Sequence, residues 1–234
     1  MRELIKVLNG QSIIKIDSDG YSECLIIHDT LISIIWSTHY QYYAVTKYDI
    51  DLLRFNFLNL DLVESDFTDK MEGTLSKLKD FMNLFQPGEY IIELKSHDIH
   101  SFEIAKDSAT FQRSPDDVEG DFTWCTWTES SLIALSKSTS LMDSDAIDHY
   151  KYQILDKKER PIVLVYQVPH FSDDSFVLDG NHKLLAYKDL LVNPYILTIT
   201  RVAPQDTVKD DLQNEYEVVL NEAELNHYKW MKII

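Results

Sequence analysis

Residues 176 to 187 hold the side chains best spaced for chemistry. Phe176-Val177-Leu178 runs into Asp179-Gly180, then Asn181-His182-Lys183, then an apolar helical pattern. Asp179-Gly180 signals a turn, because glycine takes positive φ without steric cost. Leu184, Tyr187 and Leu191 follow at i, i+3 and i+7, the spacing of a helix packed on one face. A strand, a glycine turn and a helix leave backbone N–H groups pointing outward at the helix N-terminus. Such a terminus attracts anions, phosphate above all. His182 and Lys183 then fall in an exposed first turn, within reach of a bound anion. The plainer alternative is an Asp or Asn that serves only as an N-cap.

Other reactive residues make weaker patterns. Asp17, Asp19 and Gly20 resemble the start of a calcium loop but lack its further oxygen ligands, so a turn is expected. His97 and His100 flank Asp98 with no third ligand nearby, which reads as a loop rather than a metal site. Glu93 and Lys95 form the E-x-K half of a nuclease pattern without its preceding Asp. Cys24 and Cys125 are too few for a disulfide framework and lack metal-ligand spacing. No metal site is expected.

The elements that must position these residues can be read from local patterns. Ser12–Ile16 and Tyr21–Ile27 form a hairpin, and Leu31–Trp36 and Tyr40–Thr46 a second strand pair. Leu75, Leu78, Met82 and Phe85 predict a helix over Glu72–Phe85, stopped by Gln86-Pro87-Gly88. Strands follow at Glu89–Leu94 and Ser101–Ala105, and an edge strand at Phe122–Trp127. A helix over Asp143–Leu155 leads to a buried strand at Ile162–Gln167, and Tyr195–Arg201 forms a closing strand. The tail from Asp206 to Glu224, dense in acids around Tyr216–Leu220, reads as a last strand followed by a helix through Trp230, or equally as a contact surface. The fold class is therefore α+β. An antiparallel-sheet-plus-helix unit at 1–105 is expected first, then a polar linker at 106–121, then a second domain at 122–234.

Composition bounds the function. The chain has 234 residues and a net charge of −17. That balance argues against a general nucleic-acid binder, whose affinity comes from clustered Lys and Arg. It suits a basic protein partner, or serves solubility alone. No apolar run approaches the about 18–20 residues of a membrane span. Met1-Arg2-Glu3-Leu4-Ile5-Lys6 lacks the apolar region of a secretion signal, so the cytosol is the expected compartment.

The segment Pro161-Ile162-Val163-Leu164-Val165, then Phe176 to Lys183, a helix, and Pro194-Tyr195-Ile196-Leu197-Thr198-Ile199 resembles the ParB/sulfiredoxin superfamily. That family's signature is a PI.V strand, a strand ending in DG-(N/H)-H-R or GG-C-H-R, a helix and a closing strand. The resemblance covers about the last third of the chain. It implies a small α/β domain that binds nucleotide phosphates at this turn, with ATP or CTP and magnesium as cofactors. Asp179, Gly180, Asn181, His182 and Lys183 would form the phosphate site. Lys137-Ser138-Thr139-Ser140-Leu141 is similar to the sulfiredoxin K-x-x-S-L element, which would add Lys137 and Ser140. Asn181 stands where sulfiredoxins carry their catalytic Cys, which argues against sulfinic acid reduction. Lys183 stands for the family Arg and lacks its bidentate fork. Phosphoryl transfer or nucleotide hydrolysis is the implied chemistry, with no identifiable base. The alternative is a non-catalytic immunity or inhibitor protein that covers a basic toxin or enzyme.

Overall fold

The computed structural model describes residues 2–18, 22–37, 41–45, 78–104, 121–125, 131–137, 141–168 and 174–202. They form two sheets with α-helical segments, an α+β architecture. The strands are β1 (Arg2–Val7), β2 (Ile14–Ser18), β3 (Ser22–Ile27), β4 (Thr30–Ser37), β5 (Gln41–Val45) and β6 (Gly88–Ser96). There follow β7 (Phe102–Ile104), β8 (Asp121–Cys125), β9 (Ser131–Ala134), β10 (Ile162–Gln167), β11 (Ser175–Asp179) and β12 (Tyr195–Val202). Helix α1 spans Ser144–Tyr152 and runs into a π-helical turn, Gln153–Lys157; helix α2 spans Asn181–Leu190.

The larger sheet has the order β1-β6-β12-β10-β11-β9-β7. Strand β10 lies at its centre, parallel to β12 and antiparallel to β11. Its continuous Ile-Val-Leu-Val-Tyr run is buried throughout, as a strand covered on both faces requires. In β6, Tyr90, Ile92 and Leu94 are buried at every second position, and the residues between them are not. The smaller sheet, β2-β3-β4-β5-β8, is antiparallel throughout, and β8 is its edge strand. An isolated bridge from Ile14 to Phe85 joins β2 to the approach to β6, beside Ile13 and Ile14 amides donating to the Leu84 carbonyl.

The division at 106–121 does not separate the sheets. Strands β1, β6 and β7 precede it and share the larger sheet with β9 to β12. Strand β8 follows it and closes the smaller sheet begun by β2 to β5, and Asp121 itself belongs to β8. Long-range pairing, not chain order, defines the layers. Residues 106–120 and the tail beyond Val202 lie outside the described residues.

The helix expected over Glu72–Phe85 is described only from 78, and it ends at 82. Leu78, Met82 and Phe85 are buried as its spacing predicts. In α2, Leu184 to Tyr187 are buried, but Leu191 is 67% exposed. Leu191 takes φ 54° and ends the helix, its amide bonding to the Lys188 carbonyl and that of Val192 to Tyr187. This left-handed cap breaks the i+7 continuation. Among the described residues, no helix is long and apolar enough to cross a membrane.

Candidate functional site

Asp179 ends β11, Gly180 makes the turn, and Asn181, His182 and Lys183 open α2. Opposite Asp179, the β10–β11 register shifts between Leu164 and Val165, a bulge that re-aims the strand end. Gly180 sits at φ 99°, ψ 28°, in the left-handed region. A Cβ there would come within 3.3 Å of Val163 Cα and 3.1 Å of Lys183 Cδ. Backbone conformation and close packing both require glycine at this position.

The first intrahelical bond of α2 runs from the Leu184 amide to the Gly180 carbonyl at 2.8 Å. The amides of Asn181, His182 and Lys183 precede it and have no partner within the helix. Among the described residues, no side chain caps this terminus. These three amides open α2 directly behind the glycine turn.

The side chains of the motif behave differently from the donors. Asn181 makes a reciprocal pair with Ser136: its Oδ1 accepts from the Ser136 amide at 3.0 Å, and its Nδ2 donates to Ser136 Oγ at 3.0 Å. This clasp holds the end of β9 against α2. His182 is half-buried, and its Nε2 accepts from the Asp143 amide at 3.2 Å. Burial first, then the Lys137 charge, hold the His182 imidazole below its ordinary range, with Asp143 and Asp179 acting the other way.

Lys183 departs most from expectation. It is not exposed in the first turn but only 2% accessible. Its ammonium lies 3.0 Å from Asp179 Oδ2, donates to the Ile162 carbonyl at 3.3 Å and sits 5.7 Å from the centre of the Tyr150 ring. A buried ammonium must be paired, and the adjacent strand end supplies the carboxylate. Lys183 therefore braces the turn from beneath. Tyr187, one helical turn on, donates to the Pro161 carbonyl at 2.9 Å and pins α2 to the start of β10.

Lys137 follows the clasp residue Ser136 and is half-buried, close enough to act on His182. Ser140 lies outside the described residues, as do Ser138 and Thr139. Among the described residues, the formal charges at this turn are two cations, Lys137 and Lys183, and two carboxylates, Asp143 and Asp179. They cancel locally in a chain of net charge −17.

The weaker patterns resolve into structural roles. Asp98 accepts from the His100 amide at 3.0 Å and shapes a turn. Burial, with Lys95 beside it, lowers the pKa of His97. Glu93 and Lys95 pair with each other at 3.2 Å. Among the described residues, no group of three His, Cys, Asp or Glu side chains is placed to hold a metal ion. Cys24 is buried, while the Cys125 side chain lies outside the described residues.

Ser136 and Asp143 were not singled out by the sequence. Each contributes a backbone N–H, and a backbone donor leaves no mark on residue type. One signal was present for Lys183: it stands four residues after Asp179, the spacing of a helical ion pair. No protein family, curated protein or solved structure matches this chain.

Proposed function

We propose that the chain is a phosphate-binding protein whose site is the turn from β11 into α2. A nucleotide such as ATP or CTP is the ligand class that the ParB/sulfiredoxin resemblance implies. The observation that carries this reading is the uncapped N-terminus of α2 behind Gly180 at φ 99°. Its first-turn amides and the helix dipole favour an oxyanion. The local cancellation of charge leaves that field unopposed, and Lys137 supplies a counter-charge at the rim.

Binding is better supported than turnover. Lys183 engages Asp179, and the Asp143 amide engages the lone pair of His182 Nε2. Asp179 and the Nε2 lone pair of His182 are thus both occupied, and no base is identified. Magnesium takes one or two carboxylates together with substrate phosphates. Because Asp179 is shared with Lys183, the turn fits a phosphate better than a resident metal.

Calorimetric titration with ATP, CTP, GTP and inorganic phosphate tests the reading. Binding is expected, weakened about tenfold, or 1.4 kcal/mol, in Lys137→Ala. Silence with all four ligands contradicts it.

One observation favours a second reading, a cytosolic immunity or inhibitor protein for a basic partner. Helix α1 has no fully buried residue and exposes Asp145 and Asp148, the latter sharing Lys151 with Asp189 of α2. This reading expects salt-dependent association with a basic protein and no response to nucleotides.

A further inference from the structure

We infer that His182 is a proton-operated latch that fastens the start of α1 to the first turn of α2 and regulates the anion site there. The regulatory part rests on the phosphate-binding reading. The latch itself rests on geometry alone.

An imidazole nitrogen accepts a hydrogen bond only through a bare lone pair. Because His182 Nε2 accepts from the Asp143 amide, Nε2 is unprotonated and the ring proton is on Nδ1. Asp143 is also the N-cap of α1, its Oδ1 accepting from the Asp145 amide at 2.9 Å. One residue therefore ties the first turns of both helices together. Helix α1 also packs Ile147 and Tyr150 against the core, although none of its residues is fully buried. At its far end, Lys151 bridges to Asp189 at 2.8 Å.

Protonation reverses the bond. Nε2 becomes a donor and faces the Asp143 N–H, another donor, so the contact is lost. Three charged groups from the surrounding elements face the ring: Lys137 after β9, Asp143 at α1 and Asp179 at the end of β11. Lys137 opposes the imidazolium, and the two carboxylates favour it. An oxyanion on the α2 amides adds negative charge to the same turn and shifts the balance toward imidazolium. Anion binding and proton uptake are thus coupled. By reciprocity, the anion opens the latch and protonation tightens the anion.

The test is histidine and amide NMR on the full chain from about pH 8 to about pH 5, the range in which imidazole titrates. At the alkaline end, His182 should carry its proton on Nδ1, and the Asp143 amide should be protected from exchange. On acidification, protection at Asp143 should fall at the His182 midpoint, by up to about tenfold per pH unit. In His182→Gln the carbonyl oxygen accepts at every pH, so protection should stay flat. An Nε2–H tautomer at the alkaline end, or flat protection in the wild type, overturns the latch even if the variant does not fold. Sulfate, whose charge is constant over this range, should raise the His182 midpoint. Sulfate that binds without moving the midpoint overturns the coupling. A titrating latch with no sulfate binding overturns the anion site and leaves the latch standing.

Discussion

Lys183 and Asp179 face each other across Gly180, with Nζ and Oδ2 3.0 Å apart beneath the first turn of α2. The pair closes a strand-to-helix turn from the inside. Removing one partner of a buried ion pair strands the other charge, whereas replacing both is far milder. Asp179→Ala is therefore expected to destabilise the protein by about 3 kcal/mol, and the Asp179→Ala/Lys183→Met double variant to recover most of that. Urea unfolding measures both. A double variant no more stable than Asp179→Ala would show that the pair contributes nothing.

Gly180 is the second brace. Its left-handed backbone costs an L-residue about 1–2 kcal/mol, and a Cβ also crowds Val163. Gly180→Ala should lose at least that much stability, and Gly180→Asn less, because Asn tolerates this region. Thermal melts of the two variants give the ranking, and equal losses would assign the cost to crowding alone.

Asn181→Ala removes both bonds of the clasp and leaves the buried Ser136 amide without its acceptor. A loss of about 1–3 kcal/mol is expected, the cost of an unsatisfied buried group. Chemical denaturation checks it. A loss within a few tenths of a kcal/mol would mean that water replaces the Asn181 side chain.

Acid should weaken the fold through histidine. Burial lowers the pKa of both His182 and His97 in the folded protein. Below the unfolded value of about 6.5, the unfolded chain takes up protons that the folded chain refuses. Stability is thus complete above that pH and is lost as pH falls through the folded-state values. Denaturation at a series of pH values should show this slope in the wild type and a shallower one in His182→Gln, with the His97 share remaining. Identical slopes would remove His182 from the effect.

Much of the fold was legible because it is local. The hairpin of β2 and β3, the buried run of β10 and the alternation of β6 each follow from side-chain periodicity within a few residues. The partition into sheets was not legible. Nothing near Arg2–Val7 says that it pairs with β6, and nothing in Asp121–Cys125 says that it returns to β5. Such contacts join distant segments through backbone bonds common to all residue types. The same holds at the site. The glycine turn and the helix start could be read, but the burial of Lys183 depends on β10 and on Tyr150 of α1 closing over it. The left-handed stop at Leu191 also ran against its apolar side chain, because a helix ends where its backbone finds a cap.

The most direct test of the central claim is amide NMR of the full chain titrated with inorganic phosphate and with ATP. The account predicts selective shifts at the amides of Asn181, His182 and Lys183, accompanied by His182 and Lys137. No shift at these three amides, or shifts confined to other surfaces, would contradict it.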